Sequence, residues 1–305
     1  MLIDLLIFAV SLSVLLVSSN GFIDSAEKIG LSFGISPFII GVTIVAFGTS
    51  LPELATSIAA VSEGTSEVVV GNVIGSNITN ILLVLGLTAI VGRRIILEYD
   101  VMNIDMPLLV GSAFLMFFTL QDLHLSMIEV IIYLVALVGF LLNSFRYKGE
   151  EILDKPKAKI RDYIILAIGG VGVYLSAKYT IVGITGISLK MGISPDIISL
   201  SLLAFGTSLP EVVVSIAAAR KGKHAIAVGN VLGSNIFNTY AVMGIPSLLG
   251  TLTIPESILE FSLPFMLAVT IIFALICFTR RISQWEGLML FLFYVYFIYE
   301  LSRQI

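Results

Sequence analysis

The sequence predicts an all-α membrane protein: ten transmembrane helices in two inverted five-helix repeats, with the N- and C-termini outside. Three observations carry this expectation. Long apolar runs recur along the whole chain, basic residues crowd into alternate loops, and one 48-residue block occurs twice.

The apolar runs set the class. Of 305 residues, 57% are hydrophobic and only 12% charged, against roughly 25% charged in a soluble domain. No polar block is long enough to fold alone. At about 20 apolar residues per crossing, the runs predict spans at 2–19, 36–61, 68–91, 104–120, 126–145, 162–178, 194–219, 224–250, 259–279 and 284–302. The first and sixth are expected to continue helically to about 32 and 190 as long, tilted helices. The N-terminal run has no basic leader and begins with Asp4, so it reads as a retained span, not a cleaved signal. The organisation expected is an N-terminal repeat over 1–145, a cytoplasmic linker over 146–161 and a C-terminal repeat over 162–305.

Basic residues test the count. Loops 1–2, 3–4, 5–6, 7–8 and 9–10 hold 14 of the 17 Lys and Arg, leaving only Lys178, Lys190 and Arg303 for the other side. By the positive-inside rule the crowded side is cytoplasmic. An error of one span would scatter this asymmetry.

Residues 34–81 align with 192–239 without a gap at an offset of 158, with 28 identities in 48 positions. Each half carries five spans, an odd number, so the second copy enters the membrane from the opposite side. Inverted repeats of this kind are a transporter architecture, with the site near the midplane where the halves meet.

Within each block GTSLPE falls in the middle of a span, at Gly48–Glu53 and Gly206–Glu211. Pro52 and Pro210 remove a backbone donor, which predicts freed carbonyls and a bend near Gly48 and Gly206. Irregular backbone at that depth must be buried or line a wet cavity. The same stretch supplies Thr49, Ser50, Glu53 and Thr207, Ser208, Glu211. A second element, GN-V-x-GSNI-x-N, adds Ser76, Asn77, Asn80 and Ser234, Asn235, Asn238 around a glycine expected to loosen the helix. All these groups are oxygen donors without His, Cys or Met, a set for hard cations such as Ca2+ and Na+. Two carboxylates balance one divalent ion. Ionisable residues at this depth point to function, whereas hydroxyls alone could be glue between helices. Asn72 and Asn230 could be ligand support or helix contact.

Other residues have plainer readings. Cys277 is a small buried hydrophobe, and the methionines fill gaps. Trp285, Tyr294, Tyr296 and Tyr299 suit interface anchoring or packing. His124, His224, Asp24, Glu27, Glu63, Glu67 and Asp196 lie near loops and are expected to be solvated.

The paired GTSLPE and GN-V-x-GSN blocks resemble the α-repeats of the sodium/calcium exchangers in the cation/Ca2+ antiporter superfamily, here of prokaryotic type. The resemblance implies a core of spans two, three, seven and eight, across which spans one and six slide. Position by position, it implies Glu53 and Glu211 as shared Ca2+ and Na+ ligands. Thr49 and Thr207 would add backbone carbonyls to the Ca2+ site. Ser50, Ser76, Ser208 and Ser234, with the carbonyls of Ala46 and Ala204, would complete Na+ sites, and Asn80 and Asn238 would face the middle. Potassium-dependent relatives carry Asp where this chain has Asn238, so no potassium requirement is expected. The function implied is electrogenic exchange of Na+ for Ca2+ by alternating access, with H+/Ca2+ or other divalent-cation exchange as the alternative. Ca2+ and Na+ would be substrates and the lipid bilayer the surroundings. Neither cofactor nor nucleic acid is expected, and the working unit would be a monomer. A passive channel or an intramembrane enzyme fits less well, since no nucleophile or His accompanies the carboxylates.

Overall fold

The computed structural model describes residues 2–97, 101–102, 105–146, 155–191 and 206–303. Within them the helices follow the predicted spans to within a few residues. They are α1 (Leu2–Ser32), α2 (Pro37–Ser62), α3 (Glu67–Gly92), α4 (Asp105–Thr119) and α5 (Met127–Arg146). The second half continues with α6 (Ile160–Lys190), α7 (Leu209–Arg220), α8 (His224–Phe237, continuing through Asn238–Val242 and Met243–Ser247), α9 (Ile258–Cys277) and α10 (Gln284–Arg303). The first part of the seventh span, Ala204 included, lies outside the described residues.

Local chemistry sets several starts. Ser36 accepts from the Ile39 amide at 3.4 Å ahead of Pro37, so α2 has both a side-chain cap and a proline where no donor is needed. Ser126 with Glu129 and Ser283 with Glu286 form reciprocal capping boxes before α5 and α10, with amide-to-carboxylate distances of 2.8 and 2.7 Å. At the other end, α2 and α7 stop at Gly64 (φ 77°) and Gly222 (φ 73°), equivalent positions in the two halves where only glycine adopts the backbone freely.

Burial separates core from periphery. In the most apolar windows of α2 and α3, 67% and 83% of residues are buried, against 17% in α1 and 28% in α6. The last two are the long helices expected, 31 residues each, about 46 Å at 1.5 Å per residue and so longer than a 30 Å hydrocarbon layer is thick. They pack antiparallel. Lys28 near the end of α1 pairs with Asp162 near the start of α6 at 2.8 Å, and Lys190 at the end of α6 pairs with Asp4 at the start of α1 at 2.5 Å. Glycines let the two backbones approach: a Cβ on Gly183 would lie 2.8 Å from the Phe8 nitrogen, and one on Gly169 3.1 Å from that of Phe22.

Loops that share a side in the predicted topology meet in space. A two-stranded antiparallel ribbon absent from the sequence reading joins loop 3–4 to loop 9–10: β1 (Arg94–Ile96) pairs with β2 (Arg281–Ser283), with Ile95 opposite Ile282 and both buried. At the opposite end of the bundle, Ser66 in loop 2–3 reaches Thr253 in loop 8–9 at 3.0 and 3.3 Å. Asp24, exposed as expected, and the less exposed Glu27 also form ion pairs with the loop between α7 and α8. Lys223 in that loop is held above the ordinary lysine value: burial opposes its charge, but Asp24 and Glu27 outweigh that.

Candidate cation site

The two GTSLPE segments differ from the expectation and from each other. Helix α2 runs unbroken through Gly48, with Pro52 inside it, and its irregular stretch lies earlier as a π-helical turn over Gly41–Val45. Gly48 serves close packing instead: a Cβ there would lie 2.5 Å from Phe22 Cζ of α1. In the second half Gly206–Ser208 lie in turns and α7 opens at Leu209-Pro210; what precedes Gly206 lies outside the described residues.

The second motif also relocates its irregularity. The helices remain regular through Gly75 and Gly233, and π-helical turns begin instead at Asn80 (Asn80–Leu85) and Asn238 (Asn238–Val242). Such turns widen a helix and are frequent at functional sites. Gly229 and Gly233 let α8 touch the α2 backbone; a Cβ on Gly229 would sit 2.6 Å from the Phe38 carbonyl oxygen.

Side chains from the two motifs meet across the halves. The Thr49 hydroxyl donates to Asn230 Oδ1 at 3.1 Å and lies 3.5 Å from Ser234 Oγ and 3.2 Å from the Ala46 carbonyl. The mirrored arrangement is present: the Thr207 hydroxyl donates to Asn72 Oδ1 at 3.3 Å and lies 3.1 Å from Ser76 Oγ. Both asparagines are held from behind, with Asn230 donating to Ser215 at 2.9 Å and Asn72 to Ser57 at 3.3 Å. Asn72 and Asn230 therefore hold the motif threonines and at the same time join neighbouring helices, so both readings of them stand. Ser57 and Ser215 were missed in the sequence; the signal was present, because serine is retained at that position in both repeats.

Ser50 donates to Glu211 Oε1 at 3.1 Å. Glu53 and Glu211 are both fully buried. Both Glu53 oxygens, Glu211 Oε2, Ser208 Oγ and the amide oxygens of Asn80 and Asn238 are buried without a hydrogen-bond partner. A buried polar atom is ordinarily paired, so these six oxygens are unsatisfied acceptors supplied by both halves. Ca2+ takes six to eight oxygens. Among the described residues no cluster of three or more His, Cys, Asp or Glu is present, so the set is mostly neutral around two carboxylates. Asn77 and Asn235 engage their amide nitrogens, with Thr239 at 3.1 Å and the Val231 carbonyl at 2.7 Å, while their Oδ1 atoms are likewise buried and unpartnered.

One cleft reaches this region beside Thr207. This cleft of about 380 Å3 is lined by Pro52 and Thr56 of α2, by Tyr174, Lys178, Ile181 and other α6 residues, and by Gly206, Thr207 and Pro210.

Antiparallel halves, lipid-facing long helices and a buried carboxylate pair where the halves meet define a multi-pass membrane transporter built from inverted repeats, not an enzyme. Known proteins make the class specific. The family model described as "Sodium/calcium exchanger protein" matches residues 3–146 and 162–302. The sodium/calcium exchanger MaX1 of Methanosarcina acetivorans is 33% identical, covering 97% of each chain. The inner membrane protein YrbG of Escherichia coli is also 33% identical, over 94% of this chain and 92% of its own. Among solved structures, the sodium-calcium exchanger NCX_Mj soaked with 100 mM Na+ and 10 mM Sr2+ is 30% identical, with a TM-score of 0.84 and 97% of each chain covered. The chain belongs to the sodium/calcium exchanger family and is a membrane antiporter of the cation/Ca2+ exchanger class.

Proposed function

We propose that the chain exchanges Na+ for Ca2+ across the membrane, electrogenically and without potassium. The observation that carries this reading is the buried set of six unpartnered oxygens contributed by both halves, including those of Glu53 and Glu211. A hard cation satisfies such a set, and its two negative charges match one Ca2+. In the proposed assignment Glu53 and Glu211 bind both ions in turn. The carbonyls of Thr49 and Thr207 join the Ca2+ position. Ser50, Ser76, Ser208 and Ser234, with the carbonyls of Ala46 and Ala204, hold Na+, and Asn80 and Asn238 face the centre. Without cations the two buried carboxylates would be uncompensated, which penalises the crossing of an empty carrier and enforces exchange. If three Na+ replace one Ca2+, one charge crosses per cycle, coupling to voltage at about 2.3 kcal/mol per 100 mV.

The proposal includes the orientation, with termini outside and the basic loops cytoplasmic, the division at 1–145, 146–161 and 162–305, and action as a monomer. The test is 45Ca2+ uptake into proteoliposomes loaded with Na+, compared with choline and with an imposed pH gradient. Uptake that needs internal Na+, is unaffected by K+ and is lost in Glu53→Gln and Glu211→Gln is expected. Uptake driven by the pH gradient alone would overturn the sodium assignment in favour of H+/Ca2+ exchange, and full activity in both variants would remove the site assignment.

A further inference from the structure

The 158-residue offset extends beyond the motifs to the long helices, since Leu2–Ser32 maps directly onto Ile160–Lys190. Equivalent positions on α1 and α6 can therefore be compared, and at one place they differ sharply. Asn20, Ile23 and Asp24 of α1 correspond to Lys178, Ile181 and Val182 of α6. Lys221 and Lys223, after α7, correspond to Glu63 and Thr65, after α2.

In the α1 position the helix is tied to the core. Asp24 takes Lys221 on one carboxylate oxygen at 2.8 Å and Lys223 on the other at 2.5 Å. Lys223 also pairs with Glu27 at 2.8 Å, and Lys221 donates to the Asn20 carbonyl at 3.2 Å. Beside this cluster Ile23 is fully buried and α1 packs directly on α7. In the α6 position no such tie is present among the described residues. Lys178, Ile181 and Val182 border the 380 Å3 cleft instead, and Ile181 is only partly buried. The two ends of the pseudo-symmetric molecule are thus in opposite states, one shut at the charged cluster and one open at the cleft.

A carrier whose halves were identical would have two equivalent end states, because each half would adopt in turn the conformation of the other. Here the charges that fasten the shut end have no counterparts in the other half: Val182 has no carboxylate, and Glu63 and Thr65 have no ammonium. We propose that Asp24, Glu27, Lys221 and Lys223 form an ionic latch that closes the basic-loop end and biases the cycle toward the state open at the Lys178 end. The latch must release each time that end opens. This builds on alternating access but is independent of which ions are carried.

The test reads access rather than transport, so a failed sodium assignment would leave it intact. Ile181→Cys reports on the cleft, since closing the cleft would bury it as Ile23 is buried now; native Cys277 is fully buried and remains silent. The full-length protein in nanodiscs is labelled with a hydrophilic maleimide, alone and with Asp24→Asn. Each partly exposed pair shifts the equilibrium by up to about fivefold, and because labelling follows the open fraction it is expected to slow by a smaller factor, about twofold. Asp24→Lys and Glu27→Lys combined with Lys221→Asp and Lys223→Asp reverse every pair in the cluster and should recover the original rate, and 1 M salt should erase the difference between native and Asp24→Asn backgrounds. Folding is checked by gel filtration, with Glu27→Gln as a milder variant in case Asp24→Asn does not fold. Unchanged labelling in a folded Asp24→Asn or Glu27→Gln protein, or an effect insensitive to salt, would overturn the latch.

Discussion

Replacing Asn230 by Ala tests whether the backing asparagines set cation affinity. The Asn230 side chain accepts from Thr49 at 3.1 Å and donates to Ser215 at 2.9 Å, and all three residues are buried. Each hydrogen bond contributes a net of about 1 kcal/mol, and a buried hydroxyl left without its partner adds a cost of similar size. Asn230→Ala should therefore release Thr49 at a cost of about 2 kcal/mol, or roughly 30-fold in affinity if the loss falls on the ion-bound state. The assay is the half-saturating Ca2+ concentration for uptake into Na+-loaded proteoliposomes, with thermal unfolding in detergent to separate affinity from stability. A double-mutant cycle with Ser215→Ala should give strong coupling, because Ser215 acts through the same amide. A shift of less than about threefold in a protein of normal Tm would refute the reasoning, since it would mean that Thr49 keeps its position without the asparagine.

Two further outcomes follow from packing and charge. Gly233→Ala places a methyl against the Val42 carbonyl of α2, an overpacking cost of about 1–3 kcal/mol that should lower Tm by several degrees. Gly139→Ala, where the methyl meets nothing within 4 Å among the described residues, serves as its control. Lys178 puts a positive charge in the cleft that leads to Thr207 and makes no ion pair among the described residues. At about 9 Å in water its repulsion is twice as large for a divalent ion as for Na+, so Lys178→Gln should speed Ca2+ capture from that face about fivefold and Na+ capture about twofold. Stopped-flow ion flux at low salt checks this, and equal effects on the two ions would count against a charge mechanism.

The architecture was legible because its signals are local and repeated. Twenty apolar residues announce a span whatever they pack against, and the duplicated block announced both the inversion and the pairing of Glu53 with Glu211. What escaped the sequence depends on contacts between distant segments. Gly48 and Gly233 looked like flexible points, yet their missing side chains accommodate Phe22 and Val42. The π-helical turns at Asn80 and Asn238 are rare single-turn features of helices and have no compositional mark. Asp24 reads as an ordinary loop-edge acid until the fold brings Lys221 and Lys223 to it. Ser57 and Ser215 resembled any other helix serine and became interpretable only beside Asn72 and Asn230.

The reciprocal clasp between α1 and α6, with Lys28 on Asp162 and Lys190 on Asp4, joins one helix from each half into a single stiff lever. A lever has no setting in which both of its ends are lifted. In the proposed cycle, a gate at one face can rise only as the other descends, so a continuous pore through the membrane is excluded mechanically as well as by the energetics of the empty site. A carrier assembled from two ancestral copies thereby escapes the failure to which two independent gates would be exposed: dissipating, as a leak, the gradients that drive it.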